Sequence, residues 1–272
     1  MVKRTLLLIL FILALSCSTL PKHFVKLDSG TDLLLEDILR QIENESVIFV
    51  GEIHANPRSH RVQLEVIRHL YEKGRDVVIA IEMISNDRQE VLNRWIQGRM
   101  SVGSFARFFY KESRLPFSAY ESILRFAKTR GVPVVGIDAD RKLIADVSKK
   151  GIKVVPEDYA RKIRFSDCSD NPEYGRLLGL SGGKQYHTFK FPYLCDGQRL
   201  RDTVMAHNII NIFKKGTPTV VVMAGNAHVL KPAIPGILKN RIDVSYKVIV
   251  SRKVKRMINK SVDSGVADYI WY

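Results

Sequence analysis

The sequence predicts an α/β fold: a largely parallel sheet flanked by helices, with a helical subdomain. Three observations carry this expectation. Five apolar runs rich in Val and Ile recur along the chain: SVIFVGE (46–52), DVVIAIEM (76–83), VPVVGIDA (132–139), TPTVVVMAG (217–225) and VSYKVIVS (244–251). They are apolar at both alternating positions, as strands covered on both faces are. Between the early runs the periodicity is helical, as in Val62, Leu64, Val66, Ile67 and Leu70 ahead of Gly74. Finally, the chain has 272 residues, 46% of them hydrophobic, enough to bury one large core.

The first element is a targeting segment. Lys3 and Arg4 precede an apolar stretch at 5–15 and then Ser16-Cys17. A stretch of about ten apolar residues suits a secretory signal, whereas a spanning helix needs about twenty. The cysteine at the cut resembles a bacterial lipobox, in which Cys17 is lipidated and becomes the mature N-terminus. An ordinary cleaved signal and a retained anchor are the alternatives. The expected organisation is a signal peptide at 1–16, a lipidated N-terminus and tether at 17–35, and a single domain at 36–272. Within the domain, residues 86–130 read as a helical insert containing Trp95, Phe105, Phe108, Phe109, Phe117 and Phe126 at irregular spacing. Residues 165–197, rich in Gly, Ser, Asp and aromatics, read as an irregular loop.

The formal charge is +15, which suits acidic headgroups or an anionic ligand. No nucleic-acid recognition motif is present, and an export signal argues against that partner. With Cys17 acylated, Cys168 and Cys195 remain. They pair in an oxidising compartment or stay as two thiols; spacing alone does not decide.

The strand ends carry the chemistry. Glu52 and His54 are two apart and share a face of an extended chain. Asn56-Pro57 reads as a helix N-cap followed by Pro at the first helical position. Arg58 then sits in the first turn, near amides that favour an anion. His60 and Gln63 are three apart on one side of that helix. The second run ends at Glu82, and the fourth in Gly225-Asn226-Ala227-His228. Ligands bind at the carboxyl ends of parallel strands, so these groups are expected to share a crevice. Asp202, on the helix beginning near Gln198, either reaches the same crevice or caps its neighbours. The plainer reading of each residue is structural: a satisfied histidine, a capping carboxylate, a turn asparagine.

At GEIHANPRSHRVQ (51–63), IEM (81–83), YESILRFAKTRGVPVVGIDADR (120–141), GQRLRDTVMA (197–206) and AGNAHVLKPAIP (224–235), the chain resembles the ChaN-like haem-binding uptake family. That family shares a superfamily with Tiki proteases, TraB-like proteins and erythromycin esterases. Asp138-Ala139-Asp140-Arg141 departs from the family's usual Asn ahead of the basic residue. The resemblance implies a lipid-anchored protein of the bacterial envelope, at the outer membrane, acting in iron acquisition with a haem receptor as partner. It implies haem bound at a homodimer interface through a tyrosine. Tyr193 and Tyr186 are the candidates, with His187 as rival, and Lys184, Lys190 and Arg199 as partners for the propionates. The wider superfamily implies a hydrolase instead, with Glu52, His54, Glu82 and His228 as ligands or general base around a divalent metal.

Overall fold

A computed structural model describes residues 20–21, 23–170, 174, 191–253 and 263–272. Eight strands form one sheet among these residues: β1 (Phe24–Lys26), β2 (Asp32–Leu33), β3 (Val47–Glu52), β4 (Val77–Ser85), β5 (Val134–Asp138), β6 (Thr219–Gly225), β7 (Tyr246–Ser251) and β8 (Tyr269–Trp271). The order is β2-β1-β8-β7-β3-β6-β4-β5. From β8 to β5 every pairing is parallel, and only β1 joins its two neighbours antiparallel.

Alternation along the strands explains why the runs are apolar at both parities. Ile48, Val50, Ile79, Ile81, Val221 and Met223 face one core, while Val47, Phe49, Val78, Ala80, Val220 and Val222 face another. Each of the larger of these side chains, fully buried, contributes roughly 1.5–3 kcal/mol. The first core is closed by α1 (Leu35–Gln41), α2 (Pro57–Glu72) and three successive helices, α3 (Gln89–Ile96), α4 (Val102–Ser113) and α5 (Phe117–Arg130). Further along the chain come α6 (Arg141–Lys150), α7 (Glu157–Ile163), α8 (Leu194–Phe213), α9 (Asn226–Val229) and α10 (Ile234–Lys239). Residues of α8 and α10 cover the second core.

The aromatics of α3–α5 pack as one cluster. Trp95 stacks on Phe105 at 4.6 Å, Phe117 meets Trp95 edge-on at 5.6 Å, and Phe109 lies 5.2 Å from Tyr120. This packing sets the position of Tyr120 on α5.

Two boundaries differ from expectation. Residues 17–35 read as a tether, yet Phe24–Lys26 pairs with β8 and the Phe24 side chain is fully buried. Strands of two or three residues are too short to show a period in the sequence. The helix expected near Gln198 starts at Leu194. Its buried residues, among them Cys195, Leu200, Asp202, Met205 and Ile209, include polar ones that blur its amphipathic pattern. Cys168 and Cys195, left open between bridge and free thiols, form a disulfide with a Cα–Cα separation of 5.9 Å. Among the described residues no helix is long and apolar enough to cross a membrane. The signal segment and Cys17 lie outside the described residues.

Candidate functional site

Glu52 closes β3 at the centre of the sheet and is buried. Beyond it the chain turns at Ala55, whose φ is 57°, and enters α2 at Asn56. The Asn56 side chain accepts from the amides of Arg58 at 3.0 Å and Ser59 at 3.2 Å, with Pro57 at the first helical position. This tight turn brings His54 back over its own strand end, where Nδ1 donates to Glu52 Oε1 across 2.8 Å. The Tyr120 hydroxyl donates to the same oxygen. Gln63 Nε2 donates to Glu52 Oε2 at 2.9 Å and to the Val50 carbonyl at 3.1 Å, and His60 Nε2 lies 3.4 Å from Oε2. Burial pushes the Glu52 carboxyl up, but the His54, His60 and Tyr120 contacts outweigh it and hold the pKa at about 2.

A second centre forms where β4, β5, α8 and α9 meet. Glu82 Oε2 accepts the Gly225 amide at 2.6 Å, and Oε1 accepts Arg201 Nη2 at 2.6 Å. Asp138, the last residue of β5, accepts Arg201 Nε at 3.1 Å and Nη2 at 2.5 Å. Arg201 Nη1 lies 2.9 Å from His228 Nε2, and His228 Nδ1 lies 2.5 Å from Asp202 Oδ1. Since Arg201 only donates, His228 accepts at Nε2 and gives its Nδ1 proton to Asp202. The hydroxyl of Tyr174 donates to the other Asp202 oxygen at 2.5 Å.

The two centres touch through Glu82. Its Oε1 is 3.9 Å from His54 Nε2 and 3.6 Å from His228 Nε2. Burial disfavours the Arg201 charge, but Asp138 and Glu82 overcome it and raise its pKa further. The hydrogen bond to Glu52, supported by Glu82, raises His54 above its ordinary value. The His54 side chain is 43% exposed, the most open member of the network. It borders a cavity of about 430 Å³, whose floor is Glu82, Asp138 and Arg201 and whose walls include Met83, Leu115, Ile144 and Phe191. Gln198 lines the same cavity, and its Oε1 is buried without a hydrogen-bond partner among the described residues.

The structure therefore brings Glu52, His54, His60, Gln63, Glu82, Asp202 and His228 into one network. Arg58 stays exposed in the first turn of α2. Asn226 turns away, bonding to Ser251 Oγ at 3.0 Å and tying β6 to β7. Tyr193, at the start of α8, lies outside the network and is 45% exposed. Arg199 faces Tyr174, with its guanidinium 5.3 Å from that ring. Tyr186, His187, Lys184 and Lys190 lie outside the described residues. The metal reading gains no support from this arrangement. Arg201 sits between Glu82, Asp138 and His228, where its guanidinium supplies the positive charge a divalent ion would bring. Among the described residues, no group of three or more His, Cys, Asp or Glu is arranged to hold a metal.

Sequence reading missed Arg201, Tyr120 and Tyr174 as site residues and noted Asp138 only as a departure. Arg201 had a usable signal, since it adjoins Asp202 in GQRLRD. Tyr120 opens the family-like stretch 120–141, but Tyr174 had no signal, because nothing local separates a phenol that reaches a buried carboxylate from one that fills a core.

Fold and site together define an α/β protein with a charged crevice at the carboxyl ends of its central strands. The structure of cofacial haem binding to ChaN of Campylobacter jejuni is similar at a TM-score of 0.71 and 14% identity, over 91% of this chain and 95% of that one. An erythromycin esterase, a mutant of EreC in its open conformation, is similar at 0.51 and 12% identity, over 84% and 76% of the two chains. Protein RETICULATA-RELATED 5, chloroplastic, of Arabidopsis thaliana is 23% identical over 256 residues, which is 86% of this chain; the chain spans 35% of that relative's length. The family described as haem-binding uptake, Tiki superfamily, ChaN matches residues 38–238, and the chain belongs to it.

Proposed function

We propose that this chain binds haem as an envelope-tethered lipoprotein of iron uptake, with Cys17 as the acylated residue and an outer-membrane haem receptor as partner. The family match over 38–238 carries the haem reading. A local feature supports it: Tyr193 presents a half-exposed phenol at the head of α8, beside rather than inside the charged network. Ferric iron is a hard acid, and tyrosine is an axial ligand in some haem proteins. An exposed phenol leaves the second face of the ligand open, so haem is expected to promote a homodimer. The basic charge and the signal segment support a membrane-surface location.

Titration of haemin into wild type, Tyr193→Phe, Tyr186→Phe and His187→Ala, followed by sizing, tests this. Loss of the tyrosinate spectrum in Tyr193→Phe, with a haem-dependent dimer in wild type, is the expected result. A spectrum changed only by His187→Ala rejects the tyrosine, and no saturable spectrum in wild type rejects haem binding.

A second reading is favoured by one observation. His54 has Nδ1 held by Glu52 and its ring open to the cavity, the arrangement of a histidine general base with an orienting carboxylate. Hydrolysis of a small ester or amide, with His54 taking a proton from water, fits that geometry. A panel of chromogenic esters read against His54→Gln tests it, and equal turnover in the two proteins rejects it.

A further inference from the structure

Four residues around Tyr193 form a surface that the network does not use. The Tyr193 amide donates to the Ser148 carbonyl at 3.0 Å, which lays its ring on the turn after α6. Gly151 forms that turn with φ 77° and ψ −175°, and a β-carbon there would come 3.2 Å from Tyr193 Cε1. The next residue, Ile152, is 42% exposed, and Tyr193 itself is 45% exposed, so this turn presents both a phenol and an aliphatic side chain to water. Two exposed lysines, Lys149 and Lys153, lie within two residues of this turn in the sequence. Lys142 and Lys150 are paired with Asp146 at 2.7 and 3.3 Å, whereas Lys149 and Lys153 have no ion pair among the described residues. Lys149 Nζ instead lies 5.9 Å from the centre of the Phe191 ring.

An apolar strip with free cations at its margin is complementary to a flat apolar molecule that carries carboxylates at its edge. We propose that Lys149 and Lys153 would pair with the propionates of haem held at Tyr193, with Ile152 offering it an apolar contact. This rests on the haem reading above. Gly151 lets the phenol seat on this turn, because a β-carbon there would press on its ring.

The experiment compares ferric haemin with its dimethyl ester, which lacks both charges, on wild type and on the double variant Lys149→Ala/Lys153→Ala. Exposed ion pairs are weak, so about threefold per lysine and about tenfold for the pair is the expected loss of haemin affinity. Ester affinity and the visible spectrum of the bound iron stay unchanged. Equal haemin affinity in wild type and double variant, with a normal tyrosinate spectrum in both, overturns the lysine assignment and leaves the haem reading standing. No saturable haemin spectrum in wild type overturns both. Flotation with phosphatidylglycerol vesicles supplies the third arm. If the double variant loses vesicle binding and keeps haemin affinity, the patch docks on lipid and the proposal falls.

Discussion

Arg201 Nη1 lies 2.9 Å from His228 Nε2, and the same guanidinium holds Glu82 and Asp138. One cation thus joins the ends of β4 and β5 to α9, and it comes from α8. Removing it leaves two buried carboxylates with only the nearby imidazoles of His228 and His54 to offset their charge. Arg201→Ala is therefore expected to destabilise the domain by roughly 3–5 kcal/mol at neutral pH. Urea denaturation checks this, and adding Glu82→Gln and Asp138→Asn should recover part of the loss. A change below 1 kcal/mol would mean that water solvates the carboxylates well enough without it.

Glu52 sets an acid limit. Its pKa is held at about 2 against an ordinary 4.5, so the folded state binds this proton more weakly than the unfolded state. The stabilisation is complete above about pH 4.5 and is lost as pH falls toward 2. It amounts to roughly 3 kcal/mol. Glu82 is shifted the same way by His228 and Arg201 against its burial, and steepens the same window. Thermal melts from pH 6 to 2 should show a shallower fall for Glu52→Gln than for wild type. Parallel curves would show that the carboxylate is not held as the contacts indicate.

Much of this architecture was legible because it obeys a period. Runs such as VIFV and VVIA are apolar at every position because they are covered on both faces, and Asn56-Pro57 starts a helix for local reasons. Glu52, His54, Glu82 and His228 were readable because an acid or imidazole at an apolar strand end is out of place in a core. Arg201 was not. A charge within a long helix reads as solvated, and only the sheet's strand order, with β6 inserted between β3 and β4, brings Glu82, Asp138 and His228 around it. The short strands β1, β2 and β8 escaped because sheet-edge pairing, not a local pattern, defines them.

Gly51 shows how the early and late motifs are fitted together. A β-carbon at position 51 would lie 2.5 Å from Asn226 Oδ1 and 2.7 Å from Val229 Cγ2. Asn226 in turn links to Ser251, so it cannot move without releasing β7. Gly51→Ala is expected to cost about 1–3 kcal/mol through overpacking. In a double-mutant cycle with Asn226→Ala, the combined loss should be smaller than the sum of the two. Strict additivity would place the strain elsewhere.

The disulfide closes a loop between residues 27 apart, and Tyr174, within it, donates to Asp202. A loop of that length loses about 3–4 kcal/mol of unfolded-state entropy when cross-linked. Cys168→Ser/Cys195→Ser should lower stability by that order, and reductant should bring wild type to the same value. Alkylation of both thiols in unreduced, denatured wild type would show that the bridge does not form.

His54 titrates in the opposite direction from Glu52. Its hydrogen bond to Glu52 raises the pKa above 6.5, with Glu82 adding to the effect and burial opposing it. A raised histidine stabilises the fold fully below its unfolded value, and that contribution is lost as pH rises through the folded value. The stability gap between wild type and His54→Gln should therefore be widest below about pH 6.5 and narrow above it. Proton NMR of the imidazole locates the midpoint directly. In Glu52→Gln the strongest contact holding the proton becomes a neutral amide, and the midpoint should fall. Tyr120 should still be hydrogen-bonded at the same place, because an amide oxygen accepts as a carboxylate does. If the His54 midpoint is unchanged in Glu52→Gln, the pair seen at 2.8 Å does not govern the ring, and His54 loses its claim as an oriented base.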